Sequence, residues 1–205
     1  MTPGSPGPPG MNEGDPIRPS ALRVYQVAWV VYLVMASGGA VWMGVARGGL
    51  TVDRFVDPAT WELDLLWGVA GGAALLALWL VGRTLLPAAR ELERQIADVL
   101  GGLSTADALA LALISGFAEE LFFRGAVQGS WGIVLATVLF ALLHAGPGRP
   151  FLVWALFALV AGAVFAGLAV TRGNLLAPMA AHVLVNSVNL RRLAALGTER
   201  PATTD

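Results

Sequence analysis

The sequence predicts an all-α polytopic membrane bundle, with about six membrane-embedded helices and one interfacial amphipathic helix. Three observations carry that expectation. Hydrophobic residues make up 56% of the 205 residues and charged residues 13%, against about 25% charge in soluble domains. Mean hydropathy is +0.68. The apolar residues also fall in blocks long enough to cross a bilayer core, for which about 20 helical residues suffice.

Residues 1–20, MTPGSPGPPGMNEGDPIRPS, are rich in Pro and Gly. They are expected to be a disordered tail, because they cannot bury enough apolar surface to offset chain entropy. They lack the basic start of a signal peptide, so the first apolar block is expected to remain as an anchor. That block runs over 21–45, and a second over 63–81. Residues 85–100, LLPAARELERQIADVL, put charges on one side and Leu, Ile and Val on the other. This pattern reads as an amphipathic helix in the interface, with a plain connecting helix as the alternative.

A Ser/Thr/Asp cap signal at Ser104-Thr105-Ala106-Asp107 opens a third span over 106–128. The fourth, 131–144, is short and ends at Gly146-Pro147-Gly148-Arg149-Pro150. The fifth covers 151–170, Arg172-Gly173-Asn174 makes a tight turn, and the sixth covers 175–190. No internal repeat is visible. The expected organisation is thus a tail (1–20), two spans with the amphipathic helix (21–104), a helical core (105–190) and a C-terminal tail (191–205).

All 13 basic residues are arginine, which with the abundance of Ala, Gly, Leu and Val fits a GC-rich bacterial genome. If the N-terminus is cytoplasmic and every span crosses, Arg18, Arg23, Arg83, Arg90, Arg94, Arg149, Arg191, Arg192 and Arg200 fall inside. Only Arg47, Arg54 and Arg172 fall outside. The positive-inside rule therefore predicts an integral protein of the bacterial inner membrane with both termini cytoplasmic. The net charge of −1 offers no argument for nucleic acid, and the absence of cysteine removes disulfides and thiolate chemistry.

Ionisable groups in apolar helices are costly and by default functional. The third span carries Glu119, Glu120 and Arg124. The chain's two histidines, His144 and His182, lie in the fourth and sixth, the latter followed by Asn186. Glu120 and Arg124 are four apart and can pair on one helix face, which leaves Glu119 available as a general base. His182 and Asn186 share a face and can donate to an oxyanion. At about 1.5 Å per residue, the three segments reach depths that permit one cluster. Structural readings stand beside these: a charge network for Glu120 and Arg124, a headgroup-level helix end for His144, interhelical polar glue for His182 and Asn186. No G-x-S-x-G elbow and no H-E-x-x-H zincin spacing occurs.

In this order, Glu119-Glu120-Leu121-Phe122-Phe123-Arg124, Phe140-Ala141-Leu142-Leu143-His144 and His182-Val183-Leu184-Val185-Asn186 resemble the E-E-x-x-x-R, F-x-x-x-H and H-x-x-x-N motifs of the CAAX-protease and bacteriocin-processing (Abi) family of intramembrane endopeptidases. The resemblance spans about 105–190. It implies peptide-bond hydrolysis at the membrane, acting on a membrane-associated or lipidated peptide or protein. Glu119 and His144 would activate water, and His182 and Asn186 would stabilise the oxyanion. Glu120 and Arg124 would brace the first motif, with Phe140 packed alongside. It leaves two mechanisms open: a metal-free glutamate route, or one Zn2+ held by Glu119, His144 and His182 with an open water position. The competing functions are a non-proteolytic immunity or scaffold protein and a small proton-coupled transporter. The missing inverted repeat argues against the latter.

Overall fold

The computed structural model describes residues 19–198, so the expected tail before them and the last residues of the chain lie outside the described residues. Every regular element among them is helical, without strands. Helix α1 spans Pro19–Arg47, α2 Trp61–Leu85, α3 Pro87–Leu100, α4 Thr105–Glu120, α5 Gln128–Trp131, α6 Ile133–Leu143, α7 Gly148–Arg172 and α8 Leu176–Thr198. A short 3-10 turn follows α1 at Val52–Arg54, and a π-helical segment, Leu121–Val127, joins α4 to α5.

Three helices are long and apolar enough to cross a membrane singly: Ala21–Arg47, Trp61–Leu85 and Gly148–Arg172. A fourth candidate is the bent pair of α3 with the run Thr105–Trp131. The chain is an integral membrane protein, but this count is lower than the six spans expected. The 11-residue α6 is too short to cross alone. In α8, His182, Asn186, Arg191 and Arg192 dilute the apolar residues.

Local chemistry sets the boundaries. Ser104 caps α4 through a reciprocal box: the Asp107 backbone N–H donates to Ser104 Oγ, and the Ser104 backbone N–H donates to Asp107. Pro87 opens α3, where its missing N–H costs nothing. The chain then turns by 112° from α3 into α4, so α3 lies across the end of the bundle. It buries Ala89, Leu92, Ala97 and Leu100 and keeps Arg90 and Arg94 exposed, as its amphipathic pattern predicts. Its one buried charge, Glu93, accepts hydrogen bonds from Trp79 Nε1 at 2.8 Å, Arg83 Nε at 3.1 Å and Arg192 Nη2. That carboxylate ties α3 to α2 and α8.

The same tie explains a correction. Residues 191–198 are not tail: α8 continues through Arg191 and Arg192 to Thr198. Leu193 and Ala194 pack on Ala21, Ala97 and Leu100, and Arg192 reaches Glu93. At the opposite end, Asp64 is fully buried and accepts from Arg172 Nε at 2.5 Å and Asn174 Nδ2 at 2.7 Å. This clasp closes the predicted Arg172-Gly173-Asn174 turn, in which Gly173 adopts φ +73°. It positions the start of α8, and with it the depth of His182.

The main core joins Leu75, Phe123, Val127, Phe140, Phe165, Ala177, Ala181 and Val185 from α2, the π segment, α6, α7 and α8. Glycine brings helices to close range beside it. A Cβ at Gly39 would sit 2.9 Å from the Phe122 Cα, and one at Gly116 would sit 2.7 Å from Val183 Cγ2. The first contact seats α1 on the π segment, and the second seats α4 on α8.

Candidate active site

The Glu–Glu pair ends α4, directly before the α-to-π transition. A π turn inserts an extra residue into the helical repeat and often occurs at functional sites. Both carboxylates are buried, Glu120 completely and Glu119 to 7% exposure. Glu120 Oε1 accepts from Arg124 Nη1 at 3.1 Å, the i,i+4 pair expected from the sequence. It also accepts from His182 Nδ1 at 2.7 Å, across to α8.

Arg124 is 2% exposed. Its Nη2 donates to the Gly162 carbonyl at 3.1 Å. Its guanidinium lies 4.4 Å from the Phe140 ring centre, 5.3 Å from that of Phe165 and 5.9 Å from that of Phe123. A carboxylate, a carbonyl and three aromatic faces offset part of the cost of burying this cation, while its Nε is buried without a hydrogen-bond partner.

Phe140 is the hub of the site. Its ring centre is 4.7 Å from that of His144 and 5.9 Å from that of His182, with Arg124 over its face. Phe165 stacks on His182 at 4.8 Å with an interplanar angle of 17°. Trp154 meets His144 edge-on at 5.2 Å. Both imidazoles are therefore held by rings as well as by hydrogen bonds.

The hydrogen bonds define the tautomers. His144 Nδ1 lies 2.8 Å from the Phe140 carbonyl, which only accepts. Nδ1 therefore carries the proton, and Nε2 is bare in the neutral ring. His182 Nδ1 faces the Glu120 carboxylate in the same sense. Each Nε2 accepts from water when the ring is neutral and donates only when the ring is charged. Asn186, half-buried one turn after His182, donates from Nδ2 to Ser115 Oγ at 2.9 Å.

Glu119 Oε2 and Glu120 Oε2 are both buried without a hydrogen-bond partner, and Glu120 meets Arg124 and His182 through Oε1 alone. The Tyr32 phenol of α1 lies near Glu119. Tyr32, Phe165 and Trp154 went unnoticed in the sequence, and Ser115, in an apolar helix without a recognisable base motif, was set aside as a nucleophile. Ser115 lies one turn before Glu119, a spacing that could have flagged it. The other three sit in apolar runs and carry no local signal.

A Zn2+ site needs three protein donors at about 2.0–2.2 Å. Among the described residues, no group of three or more His, Asp or Glu side chains is gathered to hold a metal ion. His182 turns Nδ1 to Glu120, and His144 stands at the end of α6 beside Trp154. Glu119, His144 and His182 thus do not fit a ligand set in this arrangement.

Helices long enough to cross a bilayer enclose a buried carboxylate–arginine–imidazole centre, as befits an integral membrane protein. Residues 101–188 match the family of type II CAAX prenyl endopeptidase Rce1-like proteins. That segment is thus similar to the Rce1-like family, a likeness that points to a CAAX-protease-like peptidase. The uncharacterized protein YpbD of Bacillus subtilis (strain 168) is 40% identical over 80 residues, covering 38% of this chain and 41% of that protein. The match thus spans less than half of that relative's length. No solved structure matches.

Proposed function

We propose that this chain is an intramembrane endopeptidase that hydrolyses peptide bonds of membrane-associated or lipidated substrates. Water would be activated by Glu119 and His144, with His182 and Asn186 at the oxyanion. The observation that carries the reading is the division of labour between adjacent carboxylates. Glu120 Oε1 takes the ion pairs to Arg124 and His182, whereas among the described residues no ion pair reaches Glu119; the Oε2 of each carboxylate is buried without a hydrogen-bond partner.

In this scheme Glu119 takes a proton from water as the water oxygen adds to the scissile carbonyl carbon. His144 Nε2 accepts the water's second hydrogen and orients it. The carbonyl oxygen gains negative charge and is met by the Asn186 amide and by Nε2–H of a doubly protonated His182. Glu120 balances that imidazolium. Collapse of the tetrahedral adduct breaks the C–N bond, and the proton on Glu119 passes to the leaving amine. The arginine distribution supports a bacterial inner-membrane location with cytoplasmic termini.

The test is cleavage of a library of lipidated and transmembrane peptides by the purified full chain, with Glu119→Ala as control and with and without chelator. Cleavage that vanishes in Glu119→Ala and persists in chelator is the expected result. Loss in chelator would return Glu119, His144 and His182 as metal ligands. Equal cleavage by both proteins would overturn the role of Glu119. Absence of cleavage across the library would favour an immunity or scaffold role through binding.

A further inference from the structure

Ser115 is 1% exposed, one helical turn before Glu119, and faces α8. Its hydroxyl has two neighbours. Ser115 Oγ–H donates to the Ala112 carbonyl at 3.2 Å, and Asn186 Nδ2 donates to Ser115 Oγ at 2.9 Å. A serine has one proton to give. Because that proton is spent on Ala112, Oγ can only accept from Asn186.

The consequence reaches Asn186. A carboxamide can turn by 180° and exchange its oxygen for its nitrogen. An acceptor-only Oγ selects the orientation with nitrogen toward α4 and rejects the flip, which would set two oxygens against each other. One N–H is then held by Ser115, and the second is left free to donate at a fixed angle. Gly116, next in sequence, permits the close seating of α4 on α8 that brings the two side chains together.

We propose that Ser115 is the positioning residue for Asn186: it holds the carboxamide so that its free N–H, not its oxygen, faces the reaction space. The inference rests on the oxyanion role proposed above for Asn186. It adds a residue outside the three motifs and predicts that a hydroxyl at this position is required for the amide to work as a donor.

The experiment compares Ser115→Ala, Ser115→Thr, Asn186→Ala and the double variant Ser115→Ala/Asn186→Ala, using a quenched peptide that the wild type cleaves. Ser115→Ala should lower kcat about tenfold, the worth of one ordinary hydrogen bond, with KM unchanged. Ser115→Thr, which keeps the hydroxyl, should restore most of the rate. The double variant should be no slower than Asn186→Ala alone. Multiplied losses in the double variant, or an unaltered kcat in Ser115→Ala, would overturn the proposal.

A second readout does not depend on turnover. The side-chain amide protons of 15N-labelled Asn186 should be inequivalent and slow to exchange in the wild type, and should exchange faster in Ser115→Ala but not in Ser115→Thr. Unchanged exchange in Ser115→Ala would overturn the proposal even if no peptide is cleaved. Cleavage absent with exchange behaving as expected would instead reject the hydrolase reading and leave the Ser115–Asn186 orientation standing.

Discussion

Arg124→Leu tests the buried charge network most directly. The substitution leaves Glu120, fully buried, without its arginine, and deletes the donor to the Gly162 carbonyl. Removing one partner of a buried pair costs about 3–5 kcal/mol, because the remaining charge is uncompensated. His182 still donates to Glu120 at 2.7 Å, which puts the expected loss near the lower end of that range. The double variant Glu120→Leu/Arg124→Leu removes both charges, so no ion is stranded. It does orphan His182 Nδ1, at about 1–3 kcal/mol. The double variant should therefore be less destabilised than the sum of the singles. Reversible unfolding in mixed micelles, followed by tryptophan fluorescence, measures all three proteins. Arg124→Leu unfolding within about 0.5 kcal/mol of the parent, or strict additivity in the double variant, would refute the reasoning.

Gly39→Val should destabilise by about 1–3 kcal/mol through overpacking, since its Cβ would meet the Phe122 backbone. Gly38→Val is the control, having nothing within 4 Å, and thermal unfolding compares the two. Glu93→Gln should loosen α3 from α2 and α8, because Trp79, Arg83 and Arg192 all converge on that carboxylate. Faster limited proteolysis within 87–100 is the expected signature, and parent-like resistance would count against the tie. Tyr32→Phe keeps the ring and deletes the phenol facing Glu119. Cleavage should slow about tenfold, as for loss of one hydrogen bond, with little change in unfolding temperature.

Much of this architecture is legible along the chain. Apolar block lengths located every main helix, because backbone hydrogen bonds in a membrane must close within each segment. The Ser104–Asp107 cap and the Arg172-Gly173-Asn174 turn are local chemistry, and both stand where expected. The i,i+4 spacing was enough to pair Glu120 with Arg124. Helix α8 ran past its expected end because the pairing that holds Arg192 comes from Glu93, about a hundred residues earlier in the chain, while Arg191 stays exposed. The π segment was equally invisible, since its sequence, LFFRGAV, reads as continuous apolar helix.

By itself the sequence determined an all-helical membrane protein and the order of its segments, and it marked seven polar and aromatic positions as a candidate site. Only the tertiary structure decided which carboxylate His182 would take. Glu119 and Glu120 are neighbours with the same chemistry, and the i,i+4 spacing that pairs Glu120 with Arg124 does not say which of them a histidine on another helix meets. Where α8 packs on α4, with Val183 close against Gly116, His182 Nδ1 meets Glu120 Oε1. Helical periodicity assigns each side chain a direction around its own axis. Which neighbour lies in that direction depends on how separate helices pack, and that is settled by contacts far apart in the chain.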